Sequence, residues 1–208
     1  MSRLGAAELL PPDAAVKAIL EERVNSGRSS GIVVGLLEGT GRRVVAYGNA
    51  GSVDKPLDGN SVFEIGSVTK VFTAALLADM VRRGEVKLDD PVSKYLPETV
   101  RMPARKRQIT LLDLATQTSG LPRLPGNLAP KDLRNPYADY SVQQMYDYLS
   151  HYELPRDVGE EFEYSNLGVG LLGHALARKS GLSYEELAKR QILEPLGMSD
   201  TAITLSAA

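Results

Sequence analysis

Residues 64–72 read EIGSVTKVF, and this stretch places a serine and a lysine at the start of an apolar helix. Ser67 and Lys70 are three residues apart, so a helix puts them on the same face. A lysine there is costly, because the helix dipole and burial both disfavour the ammonium. We therefore expect Lys70 to be buried and partly neutral, so that it can accept the Ser67 hydroxyl proton. The structural alternative is that Ser67 caps the helix and Lys70 is an ordinary helical lysine.

A second polar cluster, YSN at 164–166, begins a later glycine-rich helix. Next to the Ser67 pair, Tyr164 offers a phenol as a proton carrier, and Asn166 offers an amide that can hold a substrate carbonyl. The structural alternative is that Ser165 or Asn166 only caps the helix while Tyr164 packs its ring. If Ser67 and Lys70 were absent, this structural interpretation of residues 164–166 would be the stronger one.

The segments around these motifs predict an α+β fold of the α/β-sandwich type, with an antiparallel sheet covered by helices and a mostly helical lobe. Asp13 is expected to cap a helix that ends near residue 24. Strands at 31–37 and 43–48 flank Gly39-Thr40-Gly41 as a hairpin. The first strand is apolar on both faces, which predicts a position inside a sheet covered by helices. Further helices are predicted at 68–83, 111–118, 141–150, 166–180 and 184–193.

We predict a division into residues 1–66, with the first helix and sheet strands of an α/β lobe, and residues 67–208, with the nucleophile helix and a mostly helical lobe. The helix at 68–83 is apolar nearly all round, so we expect it in the middle of a domain. Two or three strands are too few for the floor of a domain. We therefore expect that C-terminal strands are lacking and that an open sheet edge needs cover.

Composition argues against several classes of function. The 208 residues have 24 Lys plus Arg and 26 Asp plus Glu, a net charge of −2, which offers no bulk attraction to nucleic acid or anionic lipid. No apolar run reaches the length of a membrane span. There is no cysteine, and His151 and His174 are too few for a metal site, so we expect no metal and no organic cofactor. The basic cluster of Arg101, Arg105, Lys106 and Arg107 is interpreted as a solvated loop.

The compartment stays open. The N-terminus, MSRLGAAELLPPD, has no apolar core of signal-peptide length. A periplasmic or secreted location is expected if a leader was removed, and a cytoplasmic one otherwise.

Together the motifs resemble the serine β-lactamase and penicillin-binding-protein superfamily. SVTK opens an apolar helix, YSN lies 97 residues after Ser67, and GEVKLDDPVSKYLP, ITLLDLATQTSGLP and LEPLGMSDT link and follow them. The resemblance is greatest to the class C branch, which includes AmpC-type β-lactamases, AmpH-like D-alanyl-D-alanine carboxypeptidases, D-aminopeptidases and family VIII esterases. It extends from about residue 13 to 205 and covers the N-terminal portion of such an enzyme.

The resemblance implies a serine hydrolase that works through an acyl-enzyme on an amide, β-lactam or ester, with a small molecule or peptide as substrate. It implies that Ser67 is the acylated nucleophile, that Lys70 is its proton partner and that Tyr164 is the general base. Asn166 is implied to bind the substrate amide carbonyl. The alternative is a non-hydrolytic, penicillin-like ligand sensor, or an inactive fragment that needs a complementing C-terminal fragment or a homo-oligomer.

One family motif has only a formal match. Lys or His followed by Thr or Ser and Gly fits KSG at 179–181, but these residues end a predicted helix, with Gly181 as its cap. We interpret the match as a coincidence and expect the real third motif to lie beyond Ala208. Arg123, in GLPRLPG, either lines the cleft rim and binds a substrate carboxylate or is simply exposed to solvent.

Overall fold

The computed structural model describes residues 10–39, 41–50 and 55–205. The chain divides into two compact units, Met1–Glu64 and Ile65–Ala208. The first contains a helix and a hairpin, and the second is helical. The architecture is therefore α+β, mostly helical with a small antiparallel sheet, and the predicted fold class is confirmed.

The described residues of the first unit form one helix and two strands, which are α1 (Asp13–Asn25), β1 (Gly31–Glu38) and β2 (Gly41–Gly48). The strands pair antiparallel, with Gly31 opposite Gly48 and Glu38 opposite Gly41. This register confirms the predicted hairpin. Gly39 of the two-residue turn has φ +57°, a backbone conformation that glycine adopts readily, and Thr40 lies outside the described residues.

One face of the hairpin packs on α1. Val16 and Leu20 of the helix are buried together with Val45 of β2, and alternate residues of β1 pack around them. Leu37, on the opposite face of β1, is 74% exposed. The prediction that this strand lies inside a sheet covered by helices is therefore wrong for the described residues, in which β1 pairs with β2 alone. A strand with one covered face usually alternates apolar and polar residues. The sequence of β1 is apolar on both faces, so it does not show which face is covered.

The start of α1 differs from the prediction as well. The N-cap residue is Pro12 in an extended conformation, and no side chain caps the helix. Asp13 is instead the first helical residue, where a negative charge is favourable for the helix dipole, and its carboxylate forms an ion pair with Arg43 of β2. The predicted capping role of Asp13 is wrong.

The second unit contains five α-helices in its described residues, and irregular segments join them. Their bounds are α2 (Thr69–Arg82), α3 (Leu111–Ala115), α4 (Val142–His151), α5 (Asn166–Ser180) and α6 (Tyr184–Ala188). Short 3₁₀ turns occupy Gly66–Val68 and Val92–Tyr95, and a π-helical turn at Lys189–Leu193 continues α6. The helices predicted for this half of the sequence are confirmed within a few residues at their ends, except that α3 ends at Ala115 and that the last part of the predicted 184–193 helix is the π-helical turn.

The core of this unit contains residues of all five helices and of the segments that join them. Helix α2 buries Thr73, Leu76, Leu77 and Met80, which recur at helical spacing on one face. Val71, outside that set, is 66% exposed. Within the described residues α2 is therefore buried on one face only, and the expectation that it lies in the middle of a domain is wrong there. An all-round apolar sequence does not show which of its faces the neighbouring elements cover.

The basic cluster near residue 105 is partly structural. The Arg107 guanidinium donates to both carboxylate oxygens of buried Asp113, at 2.6 and 2.7 Å. Asp113 also completes a capping box with Thr110 at the start of α3. Lys106 forms an ion pair with Asp157. All four basic residues are nevertheless exposed in an irregular segment, so the interpretation as a solvated loop is confirmed, and Arg107 has a structural role in addition.

A buried carboxylate, Asp90, predicts how the stability of this unit depends on pH. Asp90 accepts hydrogen bonds from Lys94 Nζ at 2.7 Å, Tyr95 Oη at 2.5 Å and the Lys87 backbone N–H at 2.7 Å. These bonds, with Lys94 first, lower the pKa of Asp90 to about 2. Because the pKa is depressed, the stabilisation is complete above the unfolded-state value near 4 and is lost as the pH falls through about 2.

We expect Asp90→Asn to lower the free energy of unfolding at pH 7 by about 2 kcal/mol. Urea unfolding at several pH values between 7 and 2 measures this. The difference between the wild-type protein and Asp90→Asn should shrink towards pH 2, because protonation removes the charge in the wild type as well. Asp132→Asn, an exposed carboxylate paired with Arg134, is the control and should change little. A difference that does not vary with pH would contradict the assignment.

Candidate active site

Ser67 lies in the turn that leads into α2. This turn, Gly66–Val68, begins with Gly66 at φ +51°, a left-handed conformation that strains other residues. Ser67 is exposed, and Lys70 follows in the first turn of α2, with its Nζ 3.2 Å from Ser67 Oγ. The two side chains therefore share a face, as their spacing predicts.

Lys70 is half-buried, so the prediction of a buried lysine is wrong. The neighbouring side chains of Val68 and Val71 are themselves 55% and 66% exposed, which leaves this side of the helix open in the described residues. Lys70 Nζ also donates to Asn166 Oδ1 at 2.7 Å. The position of the Lys70 amine is thus fixed by hydrogen bonds to Ser67 and Asn166, and the side chain stays partly in contact with water.

The YSN segment approaches α2 because its middle residue anchors the start of α5. Ser165 is fully buried, and its Oγ accepts the Gly168 N–H at 2.8 Å and donates to the Pro122 carbonyl at 2.7 Å. Ser165 is thus the N-cap, one of the two structural alternatives considered for this segment. Its neighbours Tyr164 and Asn166 are left to contact other groups.

Tyr164 and Asn166 both reach the Ser67–Lys70 pair. Tyr164 Oη lies 2.6 Å from Ser67 Oγ, and Asn166 Oδ1 binds Lys70 as described above. The structure thus brings together all four residues singled out in the sequence. Ser67 Oγ has two hydrogen-bonding neighbours, the Tyr164 phenol and the Lys70 amine.

A supporting residue, Gln117, was missed by sequence reasoning. Its side-chain oxygen accepts the Ser165 N–H at 2.7 Å, and its carbonyl accepts the Glu163 N–H at 2.8 Å, so it fixes both sides of Tyr164. Gln117 has φ +64°, which is uncommon for a residue other than glycine. Backbone strain near a functional site is a known pattern, but the sequence ATQTSG showed only a turn-rich segment.

Two cations near the Tyr164 ring make its phenol more acidic than that of a free tyrosine, so its pKa is lowered. Lys70 Nζ lies 4.8 Å from the centre of the Tyr164 ring, and Arg123 Cζ lies 5.1 Å from it. The nearby Lys70 ammonium, then the hydrogen bond with Ser67 and finally the Arg123 charge lower the pKa of Tyr164 below its ordinary value. An ionised phenol 2.6 Å from the serine oxygen can accept the hydroxyl proton.

The remaining candidates make other contacts. His174 Nε2 lies 2.6 Å from Tyr146 Oη, and burial lowers the pKa of its imidazole. His151 Nδ1 contacts the Asp147 carbonyl at 2.7 Å. Among residues 10–39, 41–50 and 55–205 there is no group of His, Asp and Glu that could hold a metal ion. No helix in the same residues is both long and apolar enough to cross a bilayer.

The KSG match lies at the far end of α5. Gly181 caps this helix at φ +73°, and Lys179 is exposed. A rise of 1.5 Å per residue puts Lys179 about 20 Å along the helix from Asn166. This distance favours the interpretation of KSG as a coincidence of letters.

An α+β fold in which a Ser-x-x-Lys helix start meets a Tyr-x-Asn helix start is the arrangement expected of the serine β-lactamase and penicillin-binding-protein superfamily. A family model described as Beta-lactamase matches residues 16–208. The chain belongs to this family, and the predicted resemblance is confirmed.

Individual relatives are similar over most of the chain. The D-alanyl-D-alanine-carboxypeptidase/endopeptidase AmpH of Escherichia coli is 39% identical over 183 residues, which are 86% of this chain and 46% of that protein. The crystal structure of a β-lactamase/D-alanine carboxypeptidase from Yersinia pestis, complexed with citrate, has a TM-score of 0.76 at 27% identity, over 94% of this chain and 57% of that one.

A D-stereospecific amidohydrolase from a Streptomyces species has a TM-score of 0.73 at 28% identity, over 90% of this chain and 55% of that one. The chain thus spans about half the length of the proteins that it matches.

Proposed function

We propose that the protein is a serine hydrolase that acts through an acyl-enzyme on amide or β-lactam substrates. The observation on which this proposal depends is the position of Ser67 Oγ, which is 2.6 Å from Tyr164 Oη and 3.2 Å from Lys70 Nζ. A serine hydroxyl is a weak nucleophile by itself and needs a neighbouring base to accept its proton. The relatives support this reaction class, since their names describe β-lactamases, a D-alanyl-D-alanine carboxypeptidase and a D-stereospecific amidohydrolase.

Acylation follows from these distances. Ser67 Oγ attacks the substrate carbonyl carbon while its proton passes to the ionised Tyr164 oxygen, and the carbonyl oxygen becomes an oxyanion. The Ser67 N–H lies in the 3₁₀ turn that leads into α2, and because backbone donors at a helix start lack intrahelical partners, it can donate to that oxyanion. The C–N bond then breaks, and the Tyr164 phenol returns the proton to the leaving nitrogen. The product of this step is an ester on Ser67.

Deacylation uses the same groups, but water is now the nucleophile and the Ser67 oxygen is the leaving group. Water attacks the ester carbonyl and gives a proton to the Tyr164 phenolate, and the C–O bond to Ser67 breaks with return of a proton to its oxygen. Throughout, the Lys70 ammonium stabilises the phenolate, so the two residues act as one coupled unit. The Asn166 amide, which fixes Lys70 through its oxygen, has an N–H₂ group that is available to a substrate carbonyl.

Reaction of the wild-type protein with a penicillin and with a peptide ending in D-Ala-D-Ala tests the proposal. We expect the protein mass to rise by the mass of the bound acyl group, and product to accumulate over many turnovers because water releases the group. Intact-mass spectrometry and chromatography of the products measure both. The same measurements with an activated ester test whether esters are substrates too.

The outcomes separate the proposed hydrolase from a ligand sensor. A stable adduct with at most one product molecule per protein would indicate a penicillin-like sensor. The absence of both adduct and product with every substrate would contradict acyl-enzyme chemistry.

A further inference from the structure

Gln117 binds the backbone on both sides of Tyr164. Its carbonyl accepts the Glu163 N–H at 2.8 Å, and its side-chain Oε1 accepts the Ser165 N–H at 2.7 Å. Ser165 is in an extended conformation, and in an extended segment the N–H groups of residues two apart point to the same side. One residue can therefore bind both N–H groups, while Tyr164 between them reaches Ser67 Oγ with its phenol.

Glutamine is an unexpected residue for this backbone conformation. Gln117 has φ +64°, which glycine adopts readily and which is costly for other residues. A glycine would relieve the strain, but it would lack the Oε1 atom to which the buried Ser165 N–H donates. The Gln117 side chain is itself buried, with 9% of the residue exposed. The strained backbone is thus combined with a side-chain acceptor that glycine cannot supply.

The turn that contains Gln117 is fixed to the helical core. The N–H of Thr118 donates to the carbonyl of Asp113 in α3 at 2.9 Å, and the Thr118 carbonyl accepts the Gly159 N–H at 2.9 Å. Asp113 is buried, so this attachment lies in the interior of the unit. Gln117 therefore connects a fixed part of the core to the irregular segment that contains Tyr164.

We propose that Gln117 is a positioning residue, which acts through Tyr164 by holding its phenol against Ser67 Oγ for the proton transfer of acylation. This inference rests on the proposed function and adds to it the residue that fixes the general base. Proton transfer requires a hydrogen-bonding distance, which the two oxygens have at 2.6 Å. A displacement of about 1 Å at a reacting group can reduce the rate by about 10²-fold.

The structural alternative is that Gln117 only satisfies the buried Ser165 N–H and so stabilises the fold. Two variants separate these roles. Gln117→Met and Gln117→Gly both remove Oε1 and keep the backbone carbonyl, but Gln117→Met keeps the strained φ, whereas Gln117→Gly relieves it. Gln117→Gly should therefore unfold at a higher urea concentration than Gln117→Met.

We expect both variants to be acylated by a saturating penicillin about 10²-fold more slowly than the wild-type protein in stopped-flow measurements. The penicillin concentration that gives half of the maximal rate should change little, because the loss concerns proton transfer. If the rate instead follows stability, with Gln117→Gly close to the wild type, the role of Gln117 is only structural and the proposal is overturned.

Two further variants complete the kinetic test. Gln117→Glu keeps an oxygen acceptor at the same distance along the side chain, and it should retain most of the wild-type rate at a pH where the Tyr164 phenol is ionised. Asp90→Asn is the matched control for lost stability, because it weakens the fold without a change next to Tyr164. It should be acylated at the wild-type rate.

A ¹³C NMR titration of the tyrosine ring Cζ carbons tests the positioning without any chemistry on a substrate. The Tyr164 signal is identified by its absence in Tyr164→Phe. Contacts with Lys70 and Ser67 lower the pKa of Tyr164 in the wild-type protein. In Gln117→Met the phenol should lose these contacts, and its titration should move up towards the ordinary value near 10. Gln117→Gly provides the same test if Gln117→Met does not fold.

A Tyr164 titration that is the same in these variants as in the wild-type protein would overturn the proposal, and so would acylation at the wild-type rate. Failure of the proposed hydrolase is seen separately, as absence of acylation in the wild-type protein. The titration then decides whether Gln117 positions Tyr164.

Discussion

Ser67→Ala is expected to abolish the covalent adduct with a penicillin and to reduce hydrolysis of any amide or lactam substrate by on the order of 10⁴-fold or more. The reason is that no other described hydroxyl lies within hydrogen-bonding distance of both Tyr164 Oη and Lys70 Nζ. Because Ser67 is exposed, its truncation leaves no cavity, and the fold should be unaffected. Intact-mass spectrometry and initial-rate measurements check the two effects.

Ser199→Ala is a suitable control, because Ser199 is also exposed and lies at the other end of the second unit's sequence. It should label and turn over like the wild type. A Ser67→Ala protein that is folded by circular dichroism and still forms the adduct would show that another residue is the nucleophile.

Tyr164→Phe is expected to reduce the rate of acylation by about 10²- to 10⁴-fold, the usual contribution of a positioned general base. The variant keeps the ring, and so its contacts with Lys70 and Arg123, but it lacks the oxygen that lies 2.6 Å from Ser67. The ionised phenol is the active form, so the wild-type acylation rate should rise with pH through the pKa of Tyr164. Lys70 and the Ser67 hydrogen bond lower that pKa below its ordinary value near 10.

In Tyr164→Phe this rise with pH should disappear, and stopped-flow measurement of acylation between pH 5 and 10 checks it. Lys70→Ala is the companion variant. If Tyr164 and Lys70 act as a unit, the double variant should lose little more than either single one. If Tyr164→Phe acylates as fast as the wild-type protein and its rate rises with pH in the same way, the role of Tyr164 as base is contradicted.

Much of the site was predictable from the sequence because its four residues lie in two short motifs at helix starts. The spacing of Ser67 and Lys70 fixes their common face once the helix is recognised. The bounds of α5 could be predicted because a capping serine, Ser165, comes before the helix and a glycine, Gly181, follows it. What brings Tyr164 to Ser67 is a long-range contact across 97 residues, and only the family resemblance pointed to it.

Three of the predictions that failed share a physical cause. The burial of Lys70, the cover of β1 and the surroundings of α2 all depend on which neighbours pack against a given face. Apolar content shows that a residue can be buried, and it does not show what covers it. Asp13 failed differently, because Pro12 before it provides the helix entry and the carboxylate pairs with Arg43, a residue from another element.

Gln117 is an example of a supporting residue that could not be predicted from the sequence. Its role rests on hydrogen bonds to the backbone of Glu163 and Ser165, far along the chain, and on an unusual φ. Neither leaves a pattern of residue types that can be recognised in one sequence. Arg123 is an intermediate case, since the sequence suggested two roles for it and the structure shows an exposed side chain that also contacts Tyr164.

Peptide mapping of the penicillin-treated protein by tandem mass spectrometry tests most directly that Ser67 is the activated nucleophile. The protein is quenched in acid during the reaction and digested, and the modified residue is located by fragmentation. We predict that the acyl group is on Ser67 alone. An acyl group on Lys70, on Tyr164 or on a serine elsewhere in the chain, with Ser67 unmodified, would contradict the assignment.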